Sequence, residues 1–206
     1  ALHGLLSNST YYSLSGTSVP RDFVELPSQI MENWAGEPEV LKMYAKHYLT
    51  GETIPQELIN KLHNSKYFNQ GFETVEYLAA SFLDLGYHNQ KEANFNDIAA
   101  FEKKTLDEIN LIPEINSRYR STYFNHIFSG GYSSGYYSYI WAAILDADAF
   151  EAFKENGLFD KKTATSFRKN ILEKGATDDP MVLYQNFRGA EPDITPLLKR
   201  RGLVEN

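Results

Sequence analysis

The chain reads VPRDFVELPSQIMENW from Val19 to Trp34, a pattern typical of the beginning of an α-helix. The spacing of Asp22 and Glu25 predicts a helix start. In it Asp22 is the N-cap residue, and the Glu25 carboxylate hydrogen-bonds back to the backbone of the N-cap residue. Apolar residues then recur at helical spacing, so we expect one buried face. The residues of this face are Phe23, Leu26, Ile30 and Trp34.

The rest of the chain also predicts helices joined by short polar loops. An amphipathic pattern ends at Gly86, and within it we expect Leu78 and Phe82 to be buried. Residues 134 to 156 are apolar on most sides, which indicates a helix that neighbours cover on several faces. No strongly alternating strand pattern is present. The sequence therefore predicts an all-α fold, with residues 1–206 forming a single helical unit.

Composition excludes several classes of protein. The net charge of −7, without a basic run, argues against a nucleic-acid surface. No apolar stretch approaches the roughly 20 residues that span a bilayer. The absence of cysteine excludes disulfides and cysteine-ligated metal, and it is compatible with the cytoplasm or a bacterial periplasm.

A second motif, FNHIFSGGYSSGYYSYIW, runs from Phe124 to Trp141. Tyrosines at helical spacing after a glycine-rich turn are typical of a packed aromatic helix. Tyrosine hydroxyls and a histidine N–H can also stabilise the negative charge that develops on a carbonyl oxygen during hydrolysis. The pair Gly130 and Gly131 allows backbone conformations closed to other residues, so this loop can close over a bound peptide. The residues alone leave both interpretations open.

These two stretches and the opening ALHGLL resemble the thimet oligopeptidase and peptidyl-dipeptidase (Dcp) family of zinc metallopeptidases. That family carries a helix H-E-F-G-H-x-x-H, then a segment like R-D-F-V-E-x-P-S-Q, and later H-x-F-x-G-G-Y-x-x-G-Y-Y-x-Y. The match here begins just after the second histidine of the first motif. The spacing from His126 to Tyr132 is more similar to the peptidyl-dipeptidase branch.

The resemblance implies roles for individual residues. Glu25 is the expected third zinc ligand, whereas its alternative role is that of a capping glutamate on a solvated face. His3 matches the third histidine of the first motif, and it either packs and supports a ligand or binds the metal itself. The residues expected to stabilise the oxyanion are His126, Tyr132 and Tyr139, and those expected to contact substrate are Tyr136, Gly130 and Gly131.

The resemblance also implies a function for the longer protein. By this resemblance, the chain is expected to be the C-terminal portion of the catalytic domain of a zinc metallopeptidase, and the whole enzyme is expected to hydrolyse short peptides and release C-terminal dipeptides. No histidine is followed by glutamate in the 206 residues, so two ligands of the single zinc ion and the general base are missing. We expect this chain alone to be inactive and to bind zinc weakly or not at all. Its expected partners are short peptides and the N-terminal remainder of the enzyme.

Two alternatives follow from the same residues. A non-catalytic helical module that binds peptides or proteins is the alternative to the enzyme. A cytoplasmic location is expected, with the periplasm as the alternative.

Overall fold

The structure is a computed structural model that describes residues 1–92 and 95–204. Twelve α-helices occur in these residues, and they are numbered α1 to α12 in chain order. They are Leu2–Leu5, Arg21–Val24, Leu26–Gly36, Pro38–Tyr44, Gln56–Ser65, Gln70–His88, Ile98–Glu108, Asn125–Phe128, Ser138–Asn156, Lys161–Phe167, Pro180–Arg188 and Thr195–Arg200. Two short 3₁₀ helices, Tyr12–Leu14 and Ser121–Tyr123, and a π-helical stretch, Arg168–Leu172, complete the helical elements.

The fold is all-α, as the sequence predicts. Within the described residues no strand forms, and the β-type pairing is a single antiparallel bridge between Lys46 and Thr53. None of the helices in this part of the chain has the length and apolar character needed to cross a membrane.

The chain divides into two compact units. Unit 1 combines residues 1–68 with residues 140–206, and unit 2 consists of residues 69–139. The assignment of 1–206 to one helical unit stays a prediction, and its last two residues lie outside the described ranges.

The core of unit 1 forms around α3 and α9. As predicted, Phe23, Leu26 and Ile30 are buried there, and they pack in one cluster with Leu145 and with other residues of α9, α10 and α11. Trp34 is half-buried and packs against this cluster, with its ring centroid 4.7 Å from those of two phenylalanines, Phe150 and Phe153. Its indole N–H donates a hydrogen bond of 3.0 Å to the Leu158 carbonyl.

The predicted helix start at Asp22 is wrong. Helix α2 begins one residue earlier, with Pro20 at the N-cap position, so Asp22 lies inside the first turn. The helix also breaks at Glu25 before α3 begins. Pro27 gives the physical reason, because its ring would clash with the carbonyl four residues earlier in a continuous helix but suits the first turn of a new one.

The core of unit 2 is largely aromatic. Ala80, Leu83 and Tyr87 of α6 pack in one cluster with residues from the segment 124–136. The prediction for Phe82 is wrong, because its side chain is 44% exposed, and Leu78 is only half-buried. The face of α6 that meets the cluster is the one centred on Ala80 and Leu83, so Phe82 points away from it.

Candidate active site

Glu25 lies in unit 1 at the junction of α2 and α3. It is half-buried, and its Oε2 accepts a hydrogen bond of 2.8 Å from the Ser28 hydroxyl. No side-chain cap hydrogen bond forms at the start of α2 or of α3 in the described structure. The capping role that the sequence left open for Glu25 is therefore not what the geometry shows, and its carboxylate fits the chemistry of a zinc ligand.

His3, in α1, is an unusual histidine. Only 3% of its surface is exposed, and neither ring nitrogen has a hydrogen-bond partner among the residues that the structure describes. Burial lowers the pKa of His3, so its imidazole favours the neutral form. A neutral imidazole is the form that binds a metal or accepts a hydrogen bond.

The described residues do not complete a metal site. No group of three or more histidine, aspartate or glutamate side chains in 1–92 and 95–204 is arranged to hold a metal ion. A catalytic zinc site normally needs three protein ligands. Glu25, and as a further candidate His3, fit single ligand positions, but the set of three is not present in this part of the chain.

Unit 2 brings the predicted catalytic residues together. The ring centroid of His126 lies 6.0 Å from those of Tyr132 and Tyr136. Tyr139 stacks on Tyr132 at 5.1 Å and meets Tyr136 edge-on at 5.3 Å. One histidine and three tyrosines from 14 residues of chain therefore form a single aromatic cluster.

The members of this cluster differ in how far they reach the surface. His126 and Tyr139 are half-buried, whereas Tyr132 is 9% and Tyr136 only 3% exposed. Burial raises the pKa of Tyr136, so its hydroxyl stays protonated and neutral. His126 and Tyr139 are therefore accessible from the surface, whereas the Tyr136 side chain is buried within the cluster.

The glycine pair of the motif is required by the backbone. A Cβ at Gly130 would lie 2.8 Å from the backbone Cα and carbonyl oxygen of His126, so the chain passes too close for any side chain. Gly131 adopts φ +81°, which favours glycine. The turn therefore packs against the backbone that carries His126, and the two glycines permit this close approach.

Asp84 of α6 belongs to this region, and it is not among the site residues that the sequence predicts. Its side chain is 1% exposed, and its carboxylate accepts backbone N–H groups from Ser134 and Tyr136, each at 2.9 Å. His88 Nδ1 lies 2.8 Å from the same carboxylate. The apolar pattern of this helix predicts burial at Leu78 and Phe82, not beside Asp84, so the sequence carries no local signal for this aspartate.

The chain is similar to a family of peptidases and to several of its members. The chain matches the family described as Peptidase family M3 over residues 1–203. It is 45% identical to the dipeptidyl carboxypeptidase and 41% identical to oligopeptidase A of Escherichia coli (strain K12), and 29% identical to the thimet-like oligopeptidase of Dictyostelium discoideum. Each match covers 98% of this chain but 30% of the relative, so the chain spans less than a third of the length of these proteins.

Proposed function

Because the chain belongs to peptidase family M3, we propose that it supplies the oxyanion-stabilising part and one zinc ligand of a metallopeptidase that hydrolyses short peptides. Release of C-terminal dipeptides is the proposed specificity. Two relatives named dipeptidyl carboxypeptidase, at 45% and 43% identity, support it over oligopeptidase A at 41%. A cytoplasmic location belongs to the same proposal.

The aromatic cluster of unit 2 carries the proposal. When water attacks a peptide carbonyl, negative charge builds on the carbonyl oxygen, and fixed donors beside that oxygen lower the barrier. The Tyr139 hydroxyl and the His126 ring N–H are donors of this kind on half-buried side chains. Tyr132 stacks on Tyr139 and restricts the direction in which the phenol points.

Glu25 is the proposed zinc ligand of this chain. Zinc, when bound, supplies Lewis-acid activation of a water molecule and polarises the carbonyl. The Ser28 hydroxyl donates a hydrogen bond to Oε2 of Glu25, and this contact restricts the orientation of the carboxylate. The remaining ligands and the general base are proposed to come from the N-terminal remainder of the enzyme, and His3 supports them from its buried position.

Two variants of the full-length enzyme test the proposal. Glu25→Gln removes a charged ligand, so zinc content and activity should fall together. Tyr139→Phe removes one hydroxyl donor, so kcat should fall by about 10²–10³-fold while zinc content stays nearly intact. The matched control is Tyr123→Phe, an exposed tyrosine of the same unit, which should leave kcat unchanged.

The outcomes separate the alternatives. Near-normal kcat in Tyr139→Phe would reduce that tyrosine to a packing role. If both Glu25→Gln and Tyr139→Phe kept full activity, the helical interaction module would be the better interpretation of this chain.

Zinc binding by the 206-residue chain gives an independent measurement. With Glu25 as its one expected ligand, we expect weak binding or none by equilibrium dialysis with zinc analysis. Tight binding of one zinc per chain would mean that the ligands are misplaced, and His3 with Glu25 would then be the first pair to substitute.

A further inference from the structure

We propose that Asp84 is a positioning residue, whose buried carboxylate fixes the backbone of residues 131–137 and thereby the orientation of the catalytic tyrosines. The inference rests on the proposed function, since it assigns Asp84 a role in the same reaction without contact to substrate. Its structural half, the fixing of the turn, can be tested without any activity measurement.

Both oxygens of the carboxylate hold the turn. Oδ1 accepts the N–H of Ser134 and Oδ2 accepts the N–H of Tyr136, each at 2.9 Å. Because these two amides lie between Tyr132 and Tyr139, the contacts act on the middle of the catalytic segment. The aspartate itself is 50 residues away in sequence and is anchored on the 19-residue helix α6.

The turn has a backbone that needs such support. Gly131 has φ +81°, and Ser134, which has a side chain, adopts φ +53° in the left-handed region. A residue other than glycine persists there only when surrounding contacts impose the conformation. The hydrogen bond from Ser134 N–H to Asp84 is such a contact, and it involves the strained residue itself.

A second side chain of α6 holds the same turn from another direction. The Tyr77 hydroxyl donates a hydrogen bond of 2.6 Å to the Tyr136 carbonyl, and the two rings stack at 5.4 Å. The N–H and the C=O of Tyr136 are thus both bound by α6, through Asp84 and Tyr77. The rings of Tyr139 and His126 pack against the buried ring of Tyr136. Fixing the backbone of Tyr136 therefore fixes the position of the ring that these two side chains contact.

His88 completes the shell of Asp84. Its Nδ1 lies 2.8 Å from the carboxylate Oδ1 and 3.0 Å from the Asp84 carbonyl oxygen. Both of those atoms are acceptors, so Nδ1 must carry a proton and donate. The carboxylate therefore has three donors, two of which are backbone amides of the turn, and no lysine or arginine pairs with it among the described ion pairs.

Chemistry predicts how substitutions act. Asparagine has nearly the same shape, but its NH₂ group cannot accept a hydrogen bond, so at least one donor of the turn is opposed by another donor. The turn should relax, and because a misplacement of about 1 Å in an active site can cost about 10²-fold in rate, a smaller shift should cost up to that amount. Glutamate keeps the charge, but its extra methylene displaces the acceptor.

The test uses the full-length enzyme with Asp84→Asn, Asp84→Glu, Tyr139→Phe and the double variant Asp84→Asn/Tyr139→Phe. We expect Asp84→Asn to lower kcat by about 10–10²-fold, with KM changed by less than about threefold and zinc content unchanged. In the Tyr139→Phe background the same substitution should cost much less, because Asp84 acts through the tyrosines. Full additivity of the two losses, or an unchanged kcat in Asp84→Asn, would overturn the proposal.

A control separates positioning from general loss of stability. Asp148 is a carboxylate of unit 1 with 4% exposure that is bound by side chains, not by a turn. Asp148→Asn should lower thermal stability yet leave kcat per folded enzyme unchanged. If Asp84→Asn does not fold, Tyr77→Phe provides the second variant, since it removes only the hydroxyl that binds the Tyr136 carbonyl. A kcat loss of about 3–10-fold is expected there, and no loss would count against the proposal.

Hydrogen exchange keeps this inference distinct from the proposed function. Peptides covering residues 131–137 should exchange faster in Asp84→Asn than in the unsubstituted enzyme, whatever the reaction is. Faster exchange together with a normal kcat in Tyr139→Phe would mean that the proposed function fails and the turn is still fixed by Asp84. Unchanged exchange, with kcat lowered in Tyr139→Phe, would mean that this inference fails and the proposed function stands.

Discussion

Each unit contains buried carboxylates, but the two units satisfy them differently. In unit 1, Asp146 is 2% exposed and is bound by the side chains of Arg200 and Asn33. Asp148, at 4%, accepts the Tyr184 hydroxyl. These partners come from α3, α11 and α12, so the hydrogen bonds connect α9 to three other helices.

In unit 2 the partners include backbone amides as well as side chains, among them His88 for Asp84. Asp84 accepts the N–H groups of Ser134 and Tyr136. Glu102 is 5% exposed, accepts the N–H of Ser121 at 2.9 Å and its hydroxyl at 2.8 Å, and also pairs with Arg120. A carboxylate bound by side chains stabilises the packing of helices, whereas one bound by backbone amides sets the conformation of a loop. The side chains proposed to stabilise the oxyanion lie in unit 2, where backbone amides bind buried carboxylates.

The largest effect is expected for a buried carboxylate of unit 1 that is bound by side chains. Arg200→Met would leave the buried Asp146 without its cationic partner, so the free energy of unfolding of the 206-residue chain should fall by about 3 kcal/mol. Both tryptophans, Trp34 and Trp141, lie in unit 1, so urea unfolding followed by tryptophan fluorescence reports on that unit. Lys199→Met, at the exposed neighbouring position, should change the unfolding free energy by less than about 0.5 kcal/mol. A loss below 1 kcal/mol for Arg200→Met would show that the pair contributes little.

The next prediction concerns the apolar packing of unit 2 and the face of α6. Leu83→Ala should lower the free energy of unfolding by about 2–3 kcal/mol, because Leu83 is fully buried. Phe82→Ala, at the adjacent and 44% exposed position, should cost about 1 kcal/mol or less. Far-UV circular dichroism during urea unfolding measures both variants. A larger loss of unfolding free energy for Phe82→Ala than for Leu83→Ala would mean that the buried face of α6 includes Phe82, as the sequence alone predicts.

A smaller effect is expected for Tyr184, which donates a hydrogen bond of 2.6 Å to Asp148. Tyr184→Phe should cost about 1–1.5 kcal/mol, since the Asp148 carboxylate keeps a second partner, Arg188, at 3.5 Å. The hydroxyl is buried, and burial together with the contact to Asp148 raises the pKa of Tyr184 above its ordinary value of 10.0.

The same pKa shift predicts a dependence on alkaline pH. A raised pKa in the folded state means that Tyr184 contributes stability fully below about pH 10 and that this contribution declines as the pH rises above the pKa of the unfolded chain. The difference in unfolding free energy between the unsubstituted chain and Tyr184→Phe should therefore be constant from pH 7 to 9 and shrink at higher pH. A difference that grows between pH 10 and 11 would contradict the assignment.

Much of the fold and of the candidate site follows from the sequence by itself because the signals are local. Helical spacing and the lack of an alternating strand pattern predict an all-α chain. Glycine or proline marks where several helices end or begin: Gly157 follows the last residue of α9, and Pro180 is the first residue of α11. The cluster of His126 with Tyr132, Tyr136 and Tyr139 is also local, since 14 residues around a glycine turn bring these side chains together. Family resemblance then predicts roles for these side chains and for Glu25.

Other features depend on partners far away in the chain, and only the tertiary structure decides them. Helix α6 has apolar residues on more than one face, so its buried side depends on the cluster that it meets, and that cluster selects Ala80 and Leu83 over Phe82. The role of Asp84 depends on two amides 50 and 52 residues later, a pairing that no local pattern encodes. Periodicity determines that a segment is helical, but the free energy gained by burial, and the need of every buried charge for a partner, are settled only when distant segments pack.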